Sequence, residues 1–301
     1  MSWTNRRGAG RRAAVAGIAA VALALAGCAA PGAPPADEES ALPVAPGAAD
    51  APAGSAAAPA AIPGEAGRSG EAAAHPKAPR QGSTWHYQLD GAPPGSGVDV
   101  YAIDGADTPA RDVARLKAEG ATLVCYFNAG ATEDWRSDAG SFPAAVVGEA
   151  MDGWAGERWL DVRRLDALLP IMGARMDTCV AKGFDAVDPD NVDAYIQDTG
   201  FPITREESAR YIIELARLAH DRDLAFGLKN AVELLPLVDG EIDFAVNEEC
   251  AAWNECGAYD SFVASGHAVL HIEYTDRCTT PPGFSSIRGD YDLNGPTYRC
   301  D

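Results

Sequence analysis

Short apolar runs punctuate the chain from residue 85 onward, and segments with helical periodicity separate them. Seven runs predict strands, and a weaker eighth run lies near the end of the chain. The runs are Trp85–Leu89, Val98–Ile103, Thr122–Phe127, Phe184–Val187, Leu224–Leu228, Ile242–Val246, Val269–Ile272 and Phe284–Ile287. Strands that alternate with helices are typical of a parallel α/β sheet.

The intervening helices carry recognisable start and stop signals. Thr108-Pro109 supplies a cap and a first position, and Gly120 ends that helix. Residues 204–207 read Thr-Arg-Glu-Glu, which is a capping box at the start of a second helix. A third apolar stripe, Met172 to Val180, stops at Gly183. We predict that these stripes pack against the sheet.

Polar or ionisable residues follow nearly every predicted strand. No glycine-rich phosphate loop follows any of them, which argues against a dinucleotide-binding open sheet. In a (β/α)8 barrel of the TIM type, all strand carboxyl ends converge on one opening, where such side chains form a single site. We therefore predict a single α/β domain with this barrel fold. The residues are Asp104, Asn128, Asp188, Asp190, Lys229, Asn230, Asn247, Glu248 and Glu273.

Two of these acids suit chemistry on a glycosidic bond. Asp190 follows Pro189, which turns the chain away from a central ladder, and Glu248 ends the sixth strand. Glycoside hydrolysis needs one carboxyl group to protonate the leaving oxygen and a second to act as nucleophile or base. The alternative is a site for a hard cation, which takes oxygen ligands. No histidine or dense acidic loop accompanies these acids, so we expect no metal and no other cofactor.

The first 27 residues have the pattern of an export signal. Four arginines precede an apolar run, Ala13–Ala26, that is too short to span a bilayer comfortably. Leu25-Ala26-Gly27-Cys28 resembles the lipobox of bacterial lipoproteins, in which the cysteine is lipidated after cleavage. The alternative is an ordinary signal peptide with an incidental cysteine. We predict a protein outside the cytoplasm that is anchored to the cell envelope through a lipid on Cys28.

Residues 28–80 are rich in Ala, Pro, Gly and Ser and predict a disordered linker, so the domain is expected over residues 81–301. The whole chain has a net charge of −20. Residues 1–27 contribute +4 and residues 28–80 contribute −3, which leaves −21 on the domain. This charge repels nucleic acid and anionic membranes and attracts a cationic substrate, although acidity alone also keeps a protein soluble. We expect a monomer.

Seven cysteines are present, and six remain besides Cys28. An oxidising compartment allows disulfides among them. Cys250 with Cys256 is a candidate for closing a short loop, and Cys278 with Cys300 is a candidate for stapling the C-terminal tail. Cys125 and Cys179 lie on a predicted strand and helix, where a disulfide and two buried thiols are both possible.

A series of motifs resembles glycoside hydrolase family 114 in order and spacing between Trp85 and Tyr274. The motifs are Val98–Asp104, Cys125–Gly130, Glu133–Arg136, Gly153–Asp161, Asp188–Asn191, Gly227–Asn230, Asn247–Cys250 and Glu273-Tyr274. The resemblance implies a (β/α)8 barrel and an endo-α-1,4-polygalactosaminidase or a relative. It also implies that Asp190 and Glu248 are the catalytic acids.

The chain departs from the family pattern at four positions. Asp188 stands where a glutamate is usual, and Asn128, Ala102 and Ala251 replace serine, aspartate and phenylalanine of many members. These changes affect substrate contacts rather than the two acids, so they bear on substrate preference.

We predict that the remaining polar residues near the barrel opening bind substrate. Trp135 is included because an aromatic face can stack on a sugar ring, although Trp135, Trp154 and Trp159 are also candidates for packing the long segment 131–161 onto the barrel. Lys229 is alternatively a structural ion-pair partner. The predicted substrate contacts are Asp99, Asp104, Tyr126, Asp188, Asn191, Lys229, Asn230, Asn247, Glu273 and Trp135.

The sequence thus predicts a hydrolase of a cationic α-1,4-linked galactosamine polymer, with Asp190 as nucleophile and Glu248 as general acid and base in a retaining reaction. An inverting route uses the same pair at a wider separation. Two other functions remain open. One is hydrolysis of an N-acetylated or mixed amino-sugar polymer, and the other is carbohydrate binding without turnover.

Overall fold

The computed structural model describes residues 75–95 and 97–300. The predicted signal at 1–27, Cys28 and most of the predicted linker lie outside these residues. Within the described part, no helix is both long enough and apolar enough to span a membrane.

All eight predicted strands are present, and they pair in parallel in chain order. Three further strands lie between the third and fourth of them and belong to a separate sheet. The eight are β1 (Trp85–Gln88), β2 (Val100–Asp104), β3 (Thr122–Asn128), β7 (Ala186–Asp190), β8 (Ala225–Lys229), β9 (Phe244–Glu248), β10 (Ala268–Glu273) and β11 (Phe284–Arg288). A ninth strand, β12 (Tyr298–Arg299), pairs with β11 in antiparallel fashion. The prediction of a parallel α/β sheet is therefore confirmed.

The sheet curls until its first and last parallel strands approach each other. The indole N–H of Trp85 on β1 donates a buried hydrogen bond of 2.7 Å to the carbonyl of Ser285 on β11. This side-chain hydrogen bond joins the described residues of β1 and β11. Those residues share no backbone hydrogen-bond ladder, so the sheet is not closed into a barrel by strand pairing.

Three long helices cover the outside of the sheet: α1 (Ala110–Ala118), α2 (Leu165–Lys182) and α3 (Arg205–His220). Three shorter helices follow: α4 (Leu235–Val238), α5 (Cys250–Trp253) and α6 (Asp260–Ala264). The predicted capping box is present, because Thr204 Oγ accepts from Glu207 N and the Glu207 carboxylate accepts from Thr204 N.

The described helices fall short of eight. No helix lies among the described residues between β1 and β2, where prolines and glycines occupy residues 91–97. None follows β10 or β11 in the described chain either. Proline lacks a backbone donor and glycine disfavours helix, so these connections remain loops.

Alternate residues of the parallel strands divide between two apolar clusters. Val100, Ala102 and Val124 belong to the cluster inside the curled sheet. Tyr101, Ile103 and other residues of opposite parity pack outward against the helices. This alternation of period two decides which polar side chains at the strand ends face inward.

The long segment after β3 forms a small antiparallel sheet of its own. Its strands are β4 (Ala131–Glu133), β5 (Val147–Ala150) and β6 (Glu157–Leu160), in the order β4-β6-β5. Trp159 of β6 is buried, which agrees with a packing role, whereas Trp154 is half-buried.

The described residues form three disulfides. The two predicted pairs, Cys250–Cys256 and Cys278–Cys300, are present. The pairing left open by the sequence is also a disulfide, and it ties Cys125 of β3 to Cys179 of α2.

Contacts of the domain reach back to His75, ahead of the predicted start at residue 81. The backbone N–H of His75 donates to Asp243 Oδ1 at 3.0 Å, and Lys77 Nζ donates to Asp223 Oδ2 at 2.6 Å. Asp243 immediately precedes β9 and Asp223 lies just ahead of β8. This segment therefore docks at the amino ends of the strands.

Candidate active site

A cavity of about 400 Å³ opens at the carboxyl ends of the parallel strands. Asp190, Lys229 and Glu248 line it, and they are the last residues of β7, β8 and β9. Their orientation follows from strand parity. Ala186, Ala225 and Phe244 belong to the inner cluster, so side chains an even number of positions further along the same strands also point inward.

The ammonium group of Lys229 lies at the centre of the cavity floor. Its Nζ is 3.3 Å from Asp190 Oδ1, 3.5 Å from Glu248 Oε2 and 3.9 Å from Asp188 Oδ2. It also donates a hydrogen bond of 2.8 Å to the hydroxyl of Tyr87. Burial alone would lower the pKa of Lys229, but the surrounding carboxylates outweigh burial and hold that pKa well above its usual value. Lys229 is therefore a fixed positive charge.

Lys229 limits how far apart the two acids can be. Because Nζ is 3.3 Å from Asp190 Oδ1 and 3.5 Å from Glu248 Oε2, these two oxygens are separated by at most 6.8 Å, the sum of the two distances. Retaining glycosidases separate their carboxyl groups by about 5–5.5 Å and inverting ones by about 6.5–9.5 Å. The limit covers the retaining range and only the lower edge of the inverting range.

Each acid has a phenol of its own. Tyr126 donates to Asp190 Oδ2 at 2.7 Å, and Tyr274 donates a short hydrogen bond to Glu248 Oε1. Burial first, and the neighbouring carboxylates second, raise the pKa of both phenols well above the usual value. Both hydroxyls therefore stay protonated and serve as donors. Asn230 adds a hydrogen bond of 3.1 Å from Nδ2 to Glu248 Oε2 and accepts from the Glu248 backbone at 2.8 Å.

Asp188 lies beneath the cavity floor and is fully buried. Its Oδ2 accepts from the hydroxyl of Tyr87 at 3.1 Å, and its Oδ1 has no hydrogen-bond partner. Burial raises the pKa of Asp188 to about 6, against the opposing attraction of Lys229. Tyr87 therefore connects this buried carboxyl group to Lys229.

The arrangement leaves little room for a metal among the acids, because the Lys229 ammonium already lies between them. Within residues 75–95 and 97–300, one His/Cys/Asp/Glu group brings ligand atoms close together: Cys250, Cys256 and His271. Its two cysteines share a disulfide and offer no thiolate.

The structure brings about half of the predicted substrate contacts to the cavity. Tyr126, Asn191, Lys229 and Asn230 line it together with the two acids. Asp188 contacts it from below through Tyr87 and Lys229.

Asp104 and Trp135 line a second cavity of about 460 Å³ between the end of β2 and α2. Asp104 is buried there in an ion pair with Arg136, at 2.6 Å between Oδ2 and Nη2. Asp99 precedes β2 at the amino ends of the strands, where its Oδ2 accepts two hydrogen bonds of 2.8 Å from Thr84. The predicted substrate contact at Asp99 is therefore placed at the end of the sheet opposite the acids.

Asn247 and Glu273 are fully buried and have the outward parity of their strands. Asn247 Oδ1 accepts from Cys250 N and Glu273 Oε1 accepts from Ala251 N, both at 2.9 Å. His271 Nε2 also lies 2.9 Å from Glu273 Oε1. These side chains secure the turn after β9 rather than line the cavity.

Sequence reasoning missed several residues of the cavity wall. Tyr87 is on β1, and its inward parity with Trp85 was the available signal. Tyr274 directly follows the end of β10, whereas the two acids are the last residues of their strands. Other wall residues lie outside the parallel strands, where the strand pattern does not predict positions; among them are Glu157, Asp193, Glu249, Trp253 and Tyr291. Trp154, one of the three tryptophans considered in segment 131–161, also lines the cavity.

Comparison with known proteins identifies the family. The sequence pattern of the Glycoside-hydrolase family GH114 matches residues 66–301. The chain belongs to family GH114. It is therefore a glycoside hydrolase, and the inward-facing acids belong to the cavity of such an enzyme.

Two solved structures resemble this GH114 chain. Ega3 of Aspergillus fumigatus, crystallised in complex with galactosamine, is 34% identical with a TM-score of 0.70, over 74% of this chain and 96% of Ega3. The glycoside hydrolase domain of PelA from Pseudomonas aeruginosa shares the fold at 17% identity, with a TM-score of 0.58 over 72% of this chain and 98% of that domain.

A relative known from sequence is an uncharacterized protein of Deinococcus radiodurans, 34% identical over 203 residues. The match spans 60% of this chain and 64% of the Deinococcus protein, so the chain covers less than two thirds of that relative.

Proposed function

We propose that this chain is an endo-acting hydrolase of α-1,4-linked galactosamine polymers. Asp190 acts as the nucleophile and Glu248 as the general acid and base. The observation that carries the proposal is the pair of acids around one buried ammonium, in a cavity at the carboxyl ends of the strands.

In the first step, the Asp190 carboxylate attacks the anomeric carbon and the glycosidic bond breaks. Glu248 in its protonated form gives its proton to the departing oxygen, so the leaving sugar departs as an alcohol. Lys229 and Tyr126 hold Asp190 in place, because both contact its carboxylate oxygens. Proton transfer by a positioned general acid such as Glu248 contributes about 10²–10⁴-fold to the rate.

In the second step, the Glu248 carboxylate takes a proton from water. The hydroxyl so formed attacks the anomeric carbon and releases Asp190 as a carboxylate. Two displacements at the same carbon retain its configuration. The upper limit of 6.8 Å between Asp190 Oδ1 and Glu248 Oε2 supports this route, since it covers the retaining separation.

Two observations support a cationic amino-sugar substrate. Ega3, the relative at 34% identity, was crystallised with galactosamine. The domain from residue 81 onward also carries a net charge of −21, which favours a polymer of free amines. An acetylated or mixed polymer is the second candidate substrate, because Asp188 and Asn128 depart from the family pattern at positions that bear on substrate preference.

We also propose that the enzyme works outside the cytoplasm and is anchored through a lipid on Cys28. The motif Leu25-Ala26-Gly27-Cys28 supports the anchor. The three disulfides support the compartment, since disulfides form in oxidising surroundings.

Defined α-1,4-galactosamine oligomers, with and without N-acetyl groups, test the activity. Proton NMR of the first products should show release of the α-anomer from internal bonds of the free-amine oligomer. First formation of the β-anomer would replace the retaining route by an inverting one. Absence of cleavage of either oligomer would overturn the proposed substrate.

A further inference from the structure

Trp253 exposes 61% of its surface at the rim of the acid cavity. Tryptophan side chains are mostly buried in folded proteins, so an indole exposed at a cavity is a candidate contact for a ligand. Such a face is suited to a ligand with an apolar surface of its own.

The loop that carries Trp253 is fixed at both ends. The disulfide Cys250–Cys256 closes it, and α5 gives it one helical turn. Glu249 before the turn and Asn254 after it both adopt left-handed backbone, with φ of 65° and 57°. Left-handed backbone is costly for residues other than glycine and persists where the surroundings impose it. The backbone that carries the indole is therefore fixed in position.

Glu249 directly precedes the turn that ends at Trp253. Trp253 N donates to the Glu249 carbonyl at 3.0 Å, so the backbone ties the two residues together. Both residues line the cavity.

One carboxylate oxygen of Glu249, Oε1, accepts from the hydroxyl of Tyr291 at 2.8 Å. Tyr291 in turn packs on Tyr274, with ring centroids 4.3 Å apart. The proposed reaction does not use Glu249, although it directly follows Glu248. Its carboxylate therefore lies at the cavity and is free to bind substrate rather than take part in the reaction.

We propose that Trp253 and Glu249 form a subsite for one amino-sugar ring next to the bond that is cleaved. The ring stacks on the indole, and its ammonium group pairs with the Glu249 carboxylate. This inference rests on the proposed function and adds the residues that distinguish a free amine from an acetamide.

The chemistry of a hexosamine matches the pair. One face of the ring carries C–H groups, which pack on an aromatic surface. The free amine is a cation at neutral pH, and a hydrogen bond between ions is stronger than one between neutral groups. N-acetylation removes the charge, so the contact with Glu249 is lost while stacking on Trp253 remains.

The test compares Glu249→Gln and Trp253→Ala on paired free-amine and N-acetylated oligomers. Losing a charged hydrogen bond should lower kcat/KM of Glu249→Gln about 10-fold on the free-amine oligomer. The same variant should be unchanged on the acetylated oligomer. Trp253→Ala should lose about 3–10-fold on whichever oligomers the wild-type enzyme cleaves. Trp253→Phe should recover most of that loss.

Matched controls are Glu241→Gln and Tyr298→Ala, which change a carboxylate and an exposed aromatic that do not line the cavity. Both should leave kcat/KM unaltered. If the wild-type enzyme cleaves the oligomers and Glu249→Gln lowers kcat/KM equally on both, or on neither, the proposed subsite is wrong.

Failure of the wild-type enzyme to cleave either oligomer would instead overturn the proposed function. Binding of the free-amine oligomer to Glu248→Gln, followed by tryptophan fluorescence, would then still report whether Trp253 contacts a ligand. An unchanged signal in Trp253→Ala would contradict the stacking.

Discussion

The hydroxyl of Tyr126 donates a hydrogen bond of 2.7 Å to Asp190 Oδ2, across the neighbouring strands β3 and β7. Lys229 holds the other oxygen of the same carboxylate at 3.3 Å. The backbone N–H of Asn191 also donates to Asp190 Oδ1, at 2.9 Å. Both oxygens of Asp190 are therefore held, and its orientation toward the cavity is set before substrate arrives. Such preorganisation lowers the cost of reaching the transition state.

Removal of this phenol should slow the reaction without unfolding the protein. Tyr126→Phe keeps the ring and loses a hydrogen bond to a charged group, so we expect kcat to fall about 10-fold. Tyr101→Phe is the control, since the Tyr101 hydroxyl binds the Gly95 carbonyl away from the acids. Unaltered kcat in Tyr126→Phe would show that Lys229 and the Asn191 backbone suffice to position Asp190.

The two acids should be individually essential. Asp190→Asn and Glu248→Gln keep side-chain volume but cannot ionise, so each should lower kcat by about 10²–10⁴-fold. Circular dichroism should match the wild-type protein. Asp99→Asn, the matched control at the amino ends of the strands, should retain full activity. Near wild-type turnover in either amide variant would exclude that residue from the reaction.

Asp188 makes the stability of the domain depend on pH. Burial raises its pKa from 3.8 to about 6, so the folded state holds this proton more tightly than the unfolded state. The contribution of Asp188 to the free energy of unfolding is therefore fully present below pH 3.8 and is lost as pH rises through about 6.

Urea unfolding between pH 4 and 7 should show this loss in the wild-type protein and a flatter profile in Asp188→Asn. Asp99→Asn serves as the control, because hydrogen bonds from Thr84 lower the pKa of Asp99 below 3.8. Its contribution changes only below this window, so its profile between pH 4 and 7 should have the wild-type shape. Identical profiles for the wild-type and Asp188→Asn proteins would mean that Asp188 does not titrate in this window.

The acidity of the domain should steer a cationic polymer. Added salt screens the attraction, so kcat/KM on a free-amine polymer should fall as ionic strength rises from about 10 to 300 mM, over which the Debye length shortens from about 30 Å to below 10 Å. An N-acetylated polymer should respond little. Equal salt dependence on both polymers would show that the charge serves solubility alone.

The anchor proposal concerns Cys28. The mature protein should begin at this cysteine, carry added lipid mass there and partition with membranes, whereas Cys28→Ser should not. The isolated domain from residue 75 should keep its activity in either case. Soluble wild-type protein without lipid mass at Cys28 would contradict the proposal.

The pattern of apolar runs in the sequence predicted most of the parallel sheet. Each predicted run became a parallel strand, because buried apolar runs of this length have few other uses between helices. The sheet of β4, β5 and β6 was not predicted. Its strands have three or four residues each, and Gly148 and Gly156 interrupt the segment. Runs of three or four residues are too short to show the alternation of apolar and polar residues that indicates a strand.

Residues of the candidate site that end a strand could be predicted from the sequence. Residues whose role depends on the alternation of side chains along a strand, or on a contact distant in sequence, could not. Asp190 and Glu248 share the inward parity of their strands, whereas Asn247 and Glu273 do not. A period of two therefore separates cavity residues from structural ones. Tyr87 meets Lys229 across 142 positions of sequence, and no local pattern signals such a contact.

The docking of His75 and Lys77 places the start of the described chain far from the two acids. The chain enters the domain at the amino ends of the strands, while the cavity opens at their carboxyl ends. The chain ahead of His75 thus joins the domain at the end opposite the cavity. A tag or fusion partner can be attached there, because its attachment point lies away from Asp190 and Glu248.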